Sequence, residues 1–233
     1  MPSASAALRD LRALGNPEDA RFLQRFFKTG PGEYGEGDVF LGVRVPATRK
    51  VAARYRDLPL GEVRKLLRAR EHEARLLAVI ILTLQYARAH ADARQEIFDL
   101  YLANTKYVNN WDIVDVSAPQ IVGAHLHGGD VALLDELARS ASVWERRIAT
   151  LATAHFIKQG EFGPTLKMAR RLLSDDHDLI HKAVGWMLRE VGKRDVDVLR
   201  DFLDRHHRRM PRTMLRYAIE RLPQPERAHY LAR

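Results

Sequence analysis

Trp111 and Asp115 lie four residues apart in Lys106-Tyr107-Val108-Asn109-Asn110-Trp111-Asp112-Ile113-Val114-Asp115-Val116-Ser117. Asn109 or Asn110 suits a helix N-cap, because a short side-chain acceptor can satisfy an orphan N–H of the first turn. With Trp111 set at 0° and about 100° per residue, Asp115 falls near ~40°. Ile113, Val114, Ser117, Ile121 and Ala124 then cluster at roughly 200–300°. Trp111 and Asp115 therefore share a face that is not the apolar one. An aromatic surface and a carboxylate are placed side by side, turned away from the core. The plainer alternative is a Trp packed on a neighbouring helix and an Asp on the surface.

Two further positions offer chemistry. Ile180, Val184, Met187 and Val191 form one apolar stripe, and Trp186 lies well away from it, flanked by Lys182 and Arg189. An aromatic on a basic face suits stacking on a base or sugar beside phosphates; burial against a neighbouring helix is the other option. Trp144, Ile148, Leu151, Ala152 and His155 define another apolar side. Arg147 flanks it while Arg146 points away, so Arg147 is held near a wall where a guanidinium can fork onto a phosphate or a carboxylate. Residues 181–233 hold 13 Lys/Arg against 7 Asp/Glu, which places +6 of the net +8 charge there. Within them Arg208 and Arg209 precede a helix that opens at Pro211, and Arg212 and Arg216 share a face of it, a good setting for phosphate. His206 and His207 lack ligand partners at metal spacing, so no metal is expected.

The elements that must position these residues are helical. Apolar residues make up 46% of 233, enough for a substantial core. Period-2 alternation and hairpin signals are missing. Glu73-Ala74-Arg75-Leu76, Trp111-Asp112-Ile113-Val114, Arg146-Arg147-Ile148-Ala149, His181-Lys182-Ala183-Val184 and Pro211-Arg212-Thr213-Met214 each place a charged residue ahead of an apolar helix. Arg75, Asp112, Arg147, Lys182 and Arg212 are spaced by 37, 35, 35 and 30 residues. That period predicts stacked helix pairs of the HEAT kind. Segments 61–70, 94–103, 130–139, 164–173 and 195–204 supply the first helix of each pair. The fold expected is all-α, a single domain over 1–233 forming a curved solenoid; a globular helical bundle is the alternative. Residues 1–46 carry N-terminal helices, broken near Gly15-Asn16-Pro17, and a glycine-rich loop from Thr29 to Asp38. Phe22, Leu23, Phe26 and Phe27 are expected to pack inward. Pro119 should kink or end the helix that begins at Trp111.

Composition limits the partners. A net charge of +8 favours an anionic partner such as nucleic acid. Cysteine is absent, which excludes thiol catalysis and Cys-ligated zinc and fits a reducing cytoplasm. The first residues lack a basic and then an apolar region, so no signal peptide is expected. No apolar run approaches the ~20 residues that span a bilayer. The glycine-rich loop lacks the Gly-x-x-x-x-Gly-Lys-Ser/Thr pattern of a phosphate cradle.

Taken together, the motifs resemble the AlkD-like DNA alkylation-repair glycosylases, a family built of HEAT-like repeats. The resemblance spans most of the chain. It rests on Phe26-Phe27-Lys28-Thr29-Gly30-Pro31-Gly32-Glu33-Tyr34-Gly35-Glu36-Gly37-Asp38 with Phe40-Leu41-Gly42-Val43-Arg44-Val45-Pro46, on Asn109-Asn110-Trp111-Asp112-Ile113-Val114-Asp115, on Trp144-Glu145-Arg146-Arg147, and on Lys182 to Glu190. It implies excision of N3- and N7-alkylpurines from duplex DNA on a concave basic surface, without a cofactor and with little extrusion of the base. It matches Asp115 to the family's catalytic carboxylate, Trp111 and Trp186 to its active-site tryptophans, and Arg147 to its key arginine. Lys182, Arg189, Arg208, Arg209, Arg212 and Arg216 are the candidate DNA contacts. One concave surface per chain suggests a monomer, cytoplasmic and nucleoid-associated when bound to DNA. Physical chemistry agrees with the family's reaction: a purine alkylated at N3 or N7 is already cationic and leaves without a general acid. One carboxylate can then stabilise the oxocarbenium-like sugar and orient water. A non-catalytic HEAT-type scaffold binding nucleic acid or protein is the competing reading.

Overall fold

A computed structural model describes residues 2–232. The described residues form helices and connecting loops, with one isolated parallel bridge between Val39 and Glu71. The chain divides into two compact units, Met1–Ile121 and Val122–Arg233.

The first unit holds α1 (Ala4–Arg12), α2 (Pro17–Phe26), α3 (Val45–Arg54), α4 (Leu60–Leu67), α5 (His72–Arg88), α6 (Ala91–Leu102) and α7 (Trp111–Ser117). Helix starts follow local chemistry. The Ser3 hydroxyl accepts from the Ala6 N–H, and Asn16 Oδ1 accepts from Glu18 and Asp19, with Pro17 at the first helical position. The break expected near Asn16 is therefore present. Helix α5 is the hub. It packs on α3, α4, α6 and α7, and Ala74 and Leu76–Leu82 are all buried. A helix apolar on every side is stable only when wrapped by others.

The loop between α2 and α3 is fastened to α5 by a carboxylate. Buried Glu73 accepts from the backbone N–H groups of Leu41, Gly42 and Val43 at 2.9, 2.8 and 3.1 Å. Gly42 has φ 81°, and a Cβ there would lie 2.0 Å from the Asn16 carbonyl oxygen. The backbone thus turns through a conformation and a gap that only glycine fits.

The inward packing expected of all four residues Phe22, Leu23, Phe26 and Phe27 is only half right. Leu23 and Phe27 are buried, whereas Phe22 and Phe26 are 46% and 53% exposed. Positions 22 and 26 lie on one helix face and 23 and 27 on the next, and a short amphipathic helix buries one stripe.

The second unit holds α8 (Ala124–Leu126), α9 (Ala132–Leu137), α10 (Val143–Lys158), α11 (Gly163–Arg171), α12 (Asp178–Gly192), α13 (Val196–His206), α14 (Arg212–Ala218) and α15 (Gln224–Leu231). Helices α10, α12 and α14 pack in sequence, and α11 and α13 pack beside them. Gly185 permits the close approach of α12 to α14, since a Cβ there would lie 2.5 Å from the Met214 carbonyl oxygen. The first-of-pair segments read from the sequence overlap α4, α6, α9, α11 and α13; of the charged anchors, Asp112 and Arg212 open their helices, whereas Arg75, Arg147 and Lys182 lie inside the second helices, a turn from their starts. Pro119 ends α7 early: the helix stops at Ser117 and Pro119–Gly123 forms a π-helical turn.

Glu73→Gln removes the charge that three backbone donors share. It should lower the unfolding free energy by about 2–4 kcal/mol in urea denaturation. Glu96→Gln on the exposed side of α6 should stay within ~0.5 kcal/mol. Equal effects from the two would show that Glu73 does not fasten the loop.

Candidate active site

The wall that carries Trp111 and Asp115 is built at the start of α7. Asn110 Oδ1 accepts from the Trp111 N–H at 2.8 Å and caps the helix. Trp111 is half-buried. Its ring stacks on Phe27 with centroids 5.0 Å apart and planes 18° apart, and meets the edge of exposed Phe26 at 6.0 Å. Its Nε1–H donates to the Tyr34 hydroxyl of the glycine-rich loop at 3.3 Å. The indole is therefore held by a ring below, a ring at its edge and a hydrogen bond at its tip. Asp115, one turn on, is half-exposed. Both residues line a cavity of about 330 Å³ whose other walls are mostly apolar, Phe26, Phe27, Phe40, Val43 and Leu76 among them, with Arg44, His72, Glu73 and Asp112 also in its lining. Tryptophan and carboxylate thus share a wall, as their spacing predicts.

Beneath this wall lies a buried ionic network. His72, 1% exposed, places Nδ1 2.9 Å from Asp38 Oδ2 and Nε2 2.9 Å from Asp112 Oδ2. The Arg75 guanidinium donates to the second Asp38 oxygen, and to the Ala69 and Arg70 carbonyls. Asn110 Nδ2 reaches Asp38 at 3.4 Å. Burial alone would lower the His72 pKa, but the Asp112 and Asp38 carboxylates outweigh it and push the imidazole up to about 9. Burial raises Asp38, yet His72 and Arg75 more than offset this and hold its carboxyl below the usual range. Asp112, in the first turn, is buried and bonded to His72 and to the Ile113 N–H. The sequence gives little notice of this network, because its members sit 34 and 40 residues apart. The one available signal is a His-Glu pair directly ahead of an all-apolar helix.

In the second unit, Arg147 is 5% exposed on α10 and donates to the Leu179 carbonyl at 2.7 Å, tying α10 to the first turn of α12. Arg146 pairs with Asp175 at 2.7 Å and reaches the Ser140 and Ala141 carbonyls. Trp186 is half-buried on α12, as its position off the apolar stripe predicts, and its Nε1–H donates to Glu190 at 3.1 Å. Lys182 pairs with Asp178 at 2.7 Å, and Arg189 donates to Glu220. Arg208, Arg209 and Arg216 are exposed. Arg212 is half-buried and donates to the Leu231 carbonyl at 3.0 Å. Arg212 and Arg216 therefore differ in surroundings, despite their shared spacing. Among the described residues no group of His, Asp and Glu could hold a metal ion.

Comparison with known proteins adds a family and a fold. The family model described as DNA alkylation repair enzyme matches residues 7–222. Among solved structures, the chain is similar to one titled "Predicted DNA alkylation repair enzyme from Enterococcus faecalis". The TM-score is 0.69 and the identity 17%, over 90% of this chain and 97% of that one. No curated protein matches.

The His72 charge should appear as pH-dependent stability. A group whose folded pKa is raised contributes fully below its unfolded value of 6.5, and that contribution is lost as pH rises through about 9. Asp38, lowered, loses its contribution only on the acid side, below 3.8. The stability difference between wild type and His72→Gln should therefore be largest below pH 6.5, shrink above it and level off past about 9. Urea titrations across that range measure it, and a difference independent of pH would mean that His72 is neutral.

Proposed function

The chain belongs to the DNA alkylation repair enzyme family, and from that premise we propose that it is a monofunctional glycosylase excising positively charged N3- and N7-alkylpurines from duplex DNA. The observation that carries this reading is Asp115 beside Trp111 on the wall of an apolar cavity, at the start of a helix locked in place from below. In the proposed reaction the bond between sugar C1′ and the purine nitrogen breaks, and its electron pair neutralises the cationic base. Asp115 stabilises the positive charge that develops on the sugar. Water, oriented by Asp115, adds to C1′ and gives up a proton to the surrounding solvent. No general acid and no cofactor are needed, because the leaving group is already charged. The Trp111 face can hold the cationic nucleotide by stacking and cation–π contact, of order ~0.5–2 kcal/mol.

In the second unit, Trp186 offers a comparable aromatic face, and Lys182, Arg189, Arg208, Arg209, Arg212 and Arg216 offer positive charge to the DNA backbone. Exposed Arg208, Arg209 and Arg216 are the best placed of these for phosphates. Arg147, which the family resemblance makes important, is proposed to contact DNA from α10. The proposed working state is a monomer in the cytoplasm, on the nucleoid when bound. Among the described residues no helix is long and apolar enough to cross a membrane. A scaffold that binds nucleic acid or protein without chemistry is the second reading. It has no use for a carboxylate and an aromatic presented together.

Two measurements test the proposal. Asp115→Asn keeps size and much of the hydrogen bonding but removes the charge. Single-turnover release of 7-methylguanine from alkylated duplex DNA should fall by roughly 10- to 100-fold, below the ~10²–10³ seen for a comparable stabiliser because the base leaves readily by itself. DNA affinity should change little or rise. Equal rates for the two proteins would refute this role. Arg216→Ala should weaken duplex binding regardless of sequence and flatten the salt dependence by about one unit of slope. An unchanged salt series would remove Arg216 from the interface.

A further inference from the structure

His72 is buried at the base of the cavity that Trp111 and Asp115 line, and both of its ring nitrogens are engaged. Each ring nitrogen faces a carboxylate oxygen at 2.9 Å. An ionised carboxylate only accepts hydrogen bonds, so a ring satisfied at both nitrogens carries a proton on each. The three groups come from three separate places. Asp38 closes the glycine-rich loop, His72 opens α5, and Asp112 is the second residue of α7. The His72 backbone N–H also donates to the Val39 carbonyl at 2.8 Å. The same ring stacks on Phe40 with centroids 4.4 Å apart and leans on Phe27 at 5.0 Å; Phe27 in turn stacks on Trp111.

We propose that the His72 imidazolium is a positioning residue for this site: by bridging Asp38 to Asp112 it fixes the first turn of α7, and with it the directions of Trp111 and Asp115. The proposal rests on reading that wall as the place of excision. The charges around the ring support it from every element packed there. Asp38 comes from the loop, Asp112 and Asp115 from α7, Glu73 and Arg75 from α5, and Arg44 from the start of α3. Glu73 is committed to the backbone of residues 41–43, and Arg75 to Asp38. Loss of the His72 proton leaves Asp112 without its cation in a buried site. The first turn of α7 then has reason to move toward water. A displacement of about 1 Å in a positioned group can cost ~10²-fold in rate.

The test uses the full chain labelled with 5-fluorotryptophan, whose three tryptophans are assigned by single Trp→Phe substitutions. The ¹⁹F resonance of Trp111 should titrate with a midpoint near 9, while those of Trp144 and Trp186 should not follow it. His72→Gln should abolish the titration and leave Trp111 at its high-pH position. The single-turnover rate of 7-methylguanine release should fall about tenfold in His72→Gln with the Kd for DNA within about twofold, and in wild type it should fall along the same pH curve. A Trp111 resonance that ignores both pH and the substitution, or a His72→Gln protein that excises at the wild-type rate, would overturn the proposal. Should wild type release no base, the excision reading fails and the ¹⁹F titration alone decides whether His72 positions Trp111. The titration of wild type also decides the matter if His72→Gln does not fold.

Discussion

An imidazole with a carboxylate at each nitrogen can satisfy both only as a cation, and the first unit depends on that constraint. Taking charged groups out of water costs several kcal/mol per ion, and attraction repays it only when every donor and acceptor is matched. Here most groups are matched: Asp38 receives His72, Arg75 and Asn110, and Asp112 receives His72 and the Ile113 N–H, while the buried Arg75 Nε has no partner. Such a network adds little to stability compared with an apolar core. It adds geometry instead, because it is satisfied in one arrangement of loop, α5 and α7 and in no sliding variant of it. A glycine-rich loop, with its large conformational freedom, is where such a constraint has most effect. Glu73 completes the arrangement from the next position in sequence, so two consecutive residues at the start of α5 fix both ends of the segment between Asp38 and Val43.

This division of labour separates what holds the protein together from what faces a ligand. Helix α5 supplies bulk apolar burial. The hydrophobic cluster of Leu23, Phe27 and Phe40, with half-buried Trp111 packed on it, forms a smaller core that reaches the surface. Trp111 sits at its outer edge, one face committed to Phe27. In the second unit the buried arginine Arg147 works differently. It bonds a backbone carbonyl across a helix pair and so orders α12, the helix that carries Trp186. In both units an aromatic on a half-buried face is backed by a charged side chain spent on internal contacts.

Much of the fold was legible because its signals are local or periodic. The break near Asn16, the cap at Asn110 and the early end at Pro119 follow from single residues. The helix pairs follow from a repeat of charged anchors ahead of apolar runs. Half of the site was legible for the same reason: Trp111 and Asp115 are four apart on one helix. What stayed hidden depends on contacts distant in sequence. Nothing near His72 announces Asp38 or Asp112. Phe22 and Phe26 show the opposite limit. Hydrophobic type predicted burial, but a ten-residue helix offers one buried stripe, and these two lie beside it.

The electrostatics of the network also bear on the chemistry proposed for Asp115. Without compensation, Asp38 and Asp112 would place two negative charges directly behind the cavity. Such a background would attract any cation without regard to position. His72 and Arg75 offset those charges pair by pair, within hydrogen-bonding distance, so their fields largely cancel beyond a few ångströms. The half-exposed carboxylate on the cavity wall then acts beside a mostly apolar lining, where a charge is worth more than in open water. A reaction whose leaving group already carries its positive charge asks for just that: one fixed negative charge beside the sugar, a flat aromatic surface, and few mobile dipoles to blunt either.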